Sequence, residues 1–227
     1  MTSLDISEFK SNGYVVFPPN ERMESWLESA HIEAGRLMPS QPPVSCWLSC
    51  HCFGTALPIN PRLQDLLSEL LHKPSAMLEK NQLSVLYPGY HHERQNRHVD
   101  GAQHGIFWHA LLVGVLLDEL PSDRIDRGNP LVWPGSHLTT QAELSQLGPN
   151  PTREKIREII DGISRKTVGD GVPISGAPGT MFLLDHALVH GMADQAIQGF
   201  ERRVAYYRIG NRTEEPSEIV DRRHFFK

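Results

Sequence analysis

From Asn81 to Ile209 the chain is cut into short apolar runs by glycine and proline, and this punctuation limits the available folds more than any other feature. Gln82 to Tyr87 runs into Pro88-Gly89, Ile106 to Leu117 follows, and Leu131-Val132-Trp133 stops at Pro134-Gly135. Thr180 to Leu184 and Arg203 to Ile209 complete the set. Many short strands with turn residues between them predict a mainly β protein, a double-sheet jelly roll or barrel. The front of the chain reads differently. Gly13 to Phe17 is a strand stopped by Pro18-Pro19, and Asn20 then caps a helix over 20–38 whose apolar side is Met23, Trp26, Leu27, Ala30, Ala34 and Leu37. Asn60-Pro61 opens a second helix over 60–73, with Leu63, Leu66, Leu67, Leu70 and Leu71 on one stripe. Both helices are expected to pack as a layer on one sheet. A helical insert over about 139–165 interrupts the strands, with Thr140 and Glu143 spaced as a capping box and Ile156, Ile159, Ile160 and Ile163 on one side. A chain of 227 residues is expected to form one domain.

Composition excludes several functions. A formal charge of -5, without a Lys/Arg block, argues against a nucleic-acid partner. No run reaches the ~18 apolar residues of a membrane span, and even Ile106 to Leu120 is broken by His109 and Gly114. Met1 to Lys10 lacks the apolar core of a secretory signal, so a cytoplasmic protein is expected. Cys46, Cys50 and Cys52 crowd around His51, but three cysteines neither pair off nor complete a zinc cage, so they read as free thiols.

Arg97-His98-Val99-Asp100-Gly101 carries the chemistry. Residues two apart on a strand share a face, so His98 and Asp100 can chelate one metal ion. With 12 histidines, roughly 0.6 such His-x-Asp pairs arise by chance, so context must decide. His91-His92-Glu93 competes as a loop site, whereas His31-Ile32-Glu33 lies on a helix where its side chains diverge.

Downstream come Gly128-Asn129-Pro130-Leu131-Val132-Trp133-Pro134-Gly135-Ser136-His137, then Asp185-His186-Ala187-Leu188-Val189-His190-Gly191, then Arg202-Arg203-Val204-Ala205. With Glu8 to Val16 at the start and Leu86-Tyr87-Pro88-Gly89 before the metal motif, this order resembles the phytanoyl-CoA dioxygenase family of iron(II)/2-oxoglutarate oxygenases, from about Phe9 to Ile209. The resemblance implies a double-stranded β-helix of cupin-like form, with His98, Asp100 and His190 as iron ligands. It also implies 2-oxoglutarate as cosubstrate, dioxygen as oxidant, and succinate and CO2 as products of oxidising a small organic substrate. Two histidines and a carboxylate leave one side of iron(II) open, which suits that chemistry. His190 is preferred over His186 because the family's second histidine stands directly before Gly or Ala. His137 is expected to be structural.

The far carboxylate of 2-oxoglutarate calls for an arginine fork, and Arg202 and Arg203 are the candidates. One strand face would carry Arg202, Val204, Tyr206 and Arg208, the other Arg203, Ala205, Tyr207 and Ile209. The face with Ala205 and Ile209 suits a barrel interior, and the family's Arg-x-Ala matches it, so Arg203 is preferred. Gln82 is a further cosubstrate candidate, and Trp108 and Arg97 are candidates for the substrate pocket. The alternatives are a cupin-like isomerase or hydrolase using another metal, and a non-catalytic jelly-roll binding protein. A halogenase is disfavoured because Asp100 fills the position that halide would need.

Overall fold

A computed structural model describes residues 3–38, 45–50, 59–71, 78–100, 111–148 and 151–209. Along the chain come α1 (Ser3–Asn12), β1 (Tyr14–Phe17), α2 (Met23–Leu37), β2 (Ser45–Cys50), α3 (Pro61–Leu71) and β3 (Leu78–Leu86). They are followed by β4 (Leu111–Leu116), β5 (Pro130–Val132), α4 (Ser136–Ser145), α5 (Arg153–Lys166), β6 (Val172–Pro173), β7 (Met181–Asp185), β8 (His190–Met192) and β9 (Arg202–Ile209). Two antiparallel sheets result: a six-stranded one ordered β1-β7-β4-β9-β3-β2, and a three-stranded one ordered β6-β5-β8. This is the expected double-sheet architecture.

The large sheet is buried on both sides. Its outer face offers Val15, Phe17, Leu83, Val85, Leu111, Val113, Val115, Leu183, Ala205 and Tyr207 to Met23, Ala30 and Ala34 of α2 and to the Leu63, Leu66, Leu67 and Leu70 stripe of α3. Its inner face, with Leu112, Leu116, Phe182, Leu184, Val204 and Tyr206, meets Val132 of the small sheet. Burying a Leu or Phe side chain stabilises by ~1.5–3 kcal/mol, so each layer is held by many such terms. Helices α4 and α5 cover the other side of the small sheet, packing Leu144, Ile156, Ile160 and Ile163 against Leu131, Trp133 and Val189.

Some local expectations change. Asn20 does not cap α2: its Oδ1 accepts from Arg22 N at 2.9 Å in a turn, and the helix begins at Met23 with Arg22 in the capping position. Thr140 and Glu143 form no capping box. Both lie inside α4, where the Thr140 hydroxyl donates back to Ser136 O at 3.0 Å. The capping residue of this insert is Thr152, whose hydroxyl accepts from Lys155 N at the start of α5. Helix α1 has no clear sequence signature. It is fixed by Phe9 in the core and by the buried Asp5, which accepts two hydrogen bonds from the Arg62 guanidinium on α3. Cys52, His51 and the side chains of Cys46 and Cys50 lie outside the described residues, as do Trp108, His104 and His109.

Candidate metal centre

The sharp turn before His98 sets the site up. Gln95 and Asn96 both take left-handed backbone conformations (φ 53° and 49°), which cost non-glycine residues about 1 kcal/mol or more each. The turn aims the Asn96 carbonyl at His98 Nδ1, 2.5 Å away. From there the backbone runs antiparallel to β8: His98 N donates to His190 O and His190 N to His98 O, both at 2.9 Å. Gly191 explains its own place beside His190. A Cβ there would collide with the carbonyl oxygen of Gln95 and crowd Asn96, so only glycine lets the two ligand-bearing segments approach.

These contacts bring together residues 92 positions apart. His98, Asp100 and His190 present one donor atom each, all within 4.8 Å of one another. Asp100 Oδ1 lies 3.5 Å from His98 Nε2 and 3.7 Å from His190 Nε2, and the imidazole centroids are 4.5 Å apart. His190 Nδ1 is bound to Leu188 O at 3.0 Å. A carbonyl can only accept, so the Nδ1 of each ring carries a proton and each Nε2 is the atom turned toward Asp100. Burial works against a charged His98, but the hydrogen bond and attraction of Asp100 outweigh it and hold the imidazole above its ordinary pKa. Two imidazole nitrogens and one carboxylate, pre-aimed at one point, could hold a divalent transition metal. Among the described residues no other group of three such side chains comes together.

The rival histidines have other partners. His91 is exposed and pairs with Asp194 at 2.7 Å, while His92 Nδ1 accepts from the backbone N–H groups of Arg94 and Asn96. His186 lies beside Asp185, and His137 Nε2 donates to Lys10 O at 3.2 Å. Ser136, in the same turn as His137, donates to Trp133 O and accepts from Val189 N, which fixes the segment leading into β8.

A cavity in front of the triad is lined by His98, Asp100, His190, Leu112, Met192, Tyr206 and Arg208 among others. Two of these residues come from β9 and show which of its faces is interior.

The structure places the two candidate arginines on opposite faces of β9. Arg203 points away from the cavity and grips Asp118: its Nε donates to Oδ2 at 3.1 Å, its Nη2 to Oδ1 at 2.5 Å, and its backbone N also to Oδ2. The face that carries Arg203, Ala205 and Tyr207 lies under α2 and α3. Because helices cover that side, both faces of the strand are apolar and apolarity does not mark the inside. Arg202 lies on the interior face and is fully buried. Its Nη1 donates to Ser84 Oγ at 3.0 Å, its Nη2 lies 2.9 Å from Met192 Sδ, and its Nε has no acceptor among the described residues. Burial draws its pKa below that of a free guanidinium.

Arg97 is likewise displaced from the pocket. With His98 turned inward, its neighbour points outward, where the guanidinium stacks on Trp133 at 4.8 Å and donates to Thr167 O at the end of α5. Gln82 is on the interior face, opposite Tyr206, but its Oε1 accepts from Arg208 Nη1 at 2.7 Å, so it reaches the site through that arginine. Tyr206 and Arg208 are cavity residues that sequence reasoning missed. Their signal was present as arginines at both ends of one alternating face.

The sequence matches no protein-family model and no curated protein. In fold, the chain is similar to several solved structures, among them two non-heme α-ketoglutarate-dependent enzymes, SnoN and SnoK. EctD from S. alaskensis, crystallised with 2-oxoglutarate and 5-hydroxyectoine, is 20% identical at a TM-score of 0.61, covering 96% of this chain and 79% of that one. HygX from Streptomyces hygroscopicus, with nickel, 2-oxoglutarate and hygromycin B bound, is 17% identical at a TM-score of 0.61, over 93% and 88%. The epimerase SnoN from nogalamycin biosynthesis is 17% identical at a TM-score of 0.60, over 91% and 80%. The chain therefore has the jelly-roll fold on which these enzymes are built.

Proposed function

We propose that this protein is an iron(II)- and 2-oxoglutarate-dependent oxygenase that oxidises a small organic molecule. The observation that carries the reading is the convergence of His98 Nε2, Asp100 Oδ1 and His190 Nε2, with both rings locked from behind by backbone carbonyls. The donor set fits iron(II), since two histidines and a carboxylate are the facial triad of such oxygenases. Iron(II) held there supplies the chemistry with dioxygen that couples loss of CO2 from 2-oxoglutarate, leaving succinate, to oxidation of the substrate.

The protein's own residues do the rest. Asp100 supplies the anionic ligand and offsets part of the metal's charge. Arg202, buried and with no acceptor for its Nε among the described residues, is suited to the far carboxylate of 2-oxoglutarate, and it takes the role expected of Arg203. Leu112, Met192 and Tyr206 wall the cavity and limit water. Burial raises the Tyr206 pKa, with Asp100 adding to it and the Arg202 and Arg208 charges opposing, so its phenol stays neutral beside the triad. The likeness in fold to enzymes crystallised with 2-oxoglutarate supports this reading.

The test is succinate release from iron-loaded protein under oxygen, screened against a panel of small organic molecules. The expected result is release that requires iron and is lost in Asp100→Ala. Equal release by Asp100→Ala, or none with any member, would overturn the proposal.

A further inference from the structure

Among the residues that line the cavity, Arg208 is the one whose charge the proposed reaction does not use. It stands at the far end of the interior face of β9, its side chain about one-fifth exposed on the cavity wall. Its Nη1 is anchored on Gln82 Oε1 at 2.7 Å, a neutral acceptor, which fixes the plane of the guanidinium. Its Nη2 lies 3.7 Å from Asp100 Oδ2, beyond hydrogen-bond length. Asp100 turns its other oxygen, Oδ1, toward the two imidazoles, so its charge is directed at the metal position.

The filled site carries a surplus of positive charge. A divalent metal, Asp100, doubly charged 2-oxoglutarate and Arg202 sum to zero. Among the described residues, Arg208 then adds an unbalanced positive charge in a partly desolvated cavity, where leaving it unmatched is unfavourable. From this, and resting on the function proposed above, we infer that Arg208 selects the substrate: a small molecule bearing an oxyanion, carboxylate or phosphate, that docks on the Arg208 fork. Gln82 is its positioning residue, holding the fork flat to the cavity. The geometry also bounds the substrate. With metal–oxygen bonds of ~2.0–2.2 Å, Nη2 lies no more than about 8 Å from the ion, so the oxidised carbon is only a few bonds from the anionic group.

Calorimetry on the oxygen-free protein, loaded with iron(II) and 2-oxoglutarate, tests this without turnover. The probes are butyrate, benzoate, phenylacetate and inorganic phosphate, with the amides of the three acids as neutral controls. We expect at least one oxyanion to bind, its amide not to bind if it is an acid, and Arg208→Leu to weaken binding ten- to a hundredfold. Arg208→Lys should restore part of the affinity and Gln82→Leu should lose several-fold. Preference for the carboxylates or for phosphate names the anion. If no oxyanion binds, if the amides bind as well as the acids, or if Arg208→Leu and Arg208→Lys both bind like the unaltered protein, the inference fails. Loading with 2-oxoglutarate is titrated first in the same cell. Failure at that step would instead refute the oxygenase reading.

Discussion

Exchanging either of two adjacent arginines for methionine should separate function from stability. Arg202 is buried without a carboxylate at ion-pair distance among the described residues, and its contacts are a serine hydroxyl, a backbone carbonyl and a thioether. A buried charge without a counter-ion is destabilising by several kcal/mol, so a methionine of similar length should make the metal-free protein more stable, by about 1–4 kcal/mol. The same change removes the cation proposed for 2-oxoglutarate. Charged hydrogen bonds contribute ~1.5–3 kcal/mol, so the affinity should fall about ten- to a hundredfold. Arg203→Met should do the reverse. It leaves Asp118, 9% exposed, stripped of a two-pronged partner, and should cost about 1–3 kcal/mol while 2-oxoglutarate binding is unchanged. Each kcal/mol moves Tm by ~2–4 °C in a chain of this size. Melting curves of the metal-free variants and calorimetric titration of 2-oxoglutarate into the metal-loaded ones measure both effects. Loss of 2-oxoglutarate binding in Arg203→Met, with Arg202→Met unaffected, would refute the reasoning about which face of β9 is interior.

Three further outcomes are expected. Gly191→Ala should drive a methyl group into the Gln95 carbonyl and part His98 from His190, lowering iron affinity at least tenfold in an equilibrium metal titration. Gly114→Ala should press on the Phe182 ring between the sheets and cost about 1–3 kcal/mol by urea unfolding, with the metal site retained. Because Asp100 holds the His98 pKa above its usual ~6.5, protons should compete for that ring from a higher pH than for an ordinary histidine. Iron affinity should therefore weaken as pH falls through the raised pKa and recover above it, which a metal titration at several pH values reads directly.

The architecture and the triad were legible because each follows from a local rule. Helical spacing marked the Leu63, Leu66, Leu67 and Leu70 stripe, and the two-residue strand step placed His98 with Asp100. The His190-Gly191 pair pointed to the third residue, and the structure adds the cause, a backbone crossing too close for any side chain. What was not legible depended on layers that periodicity does not encode. The choice between Arg202 and Arg203 turned on α2 and α3 covering the large sheet, which makes Ala205 and Tyr207 as buried as Val204 and Tyr206. Arg97, next to His98 in the chain, reads as a pocket residue, but it stacks on Trp133 and reaches the end of α5 instead. Arg208 showed only as the second charge on the alternating face of Arg202, and the pairing of β9 with β4, which sets Arg208 opposite Leu112, is what brings it to the cavity.

The most direct test of the account is anomalous diffraction at the iron edge from crystals grown without oxygen in iron(II) and 2-oxoglutarate. The account predicts one strong peak bonded to His98 Nε2, Asp100 Oδ1 and His190 Nε2 at ~2.0–2.2 Å, with the far carboxylate of 2-oxoglutarate on Arg202. Iron seated at His91 and Asp194 instead, or the carboxylate gripped by Arg203 or Arg208, would contradict it.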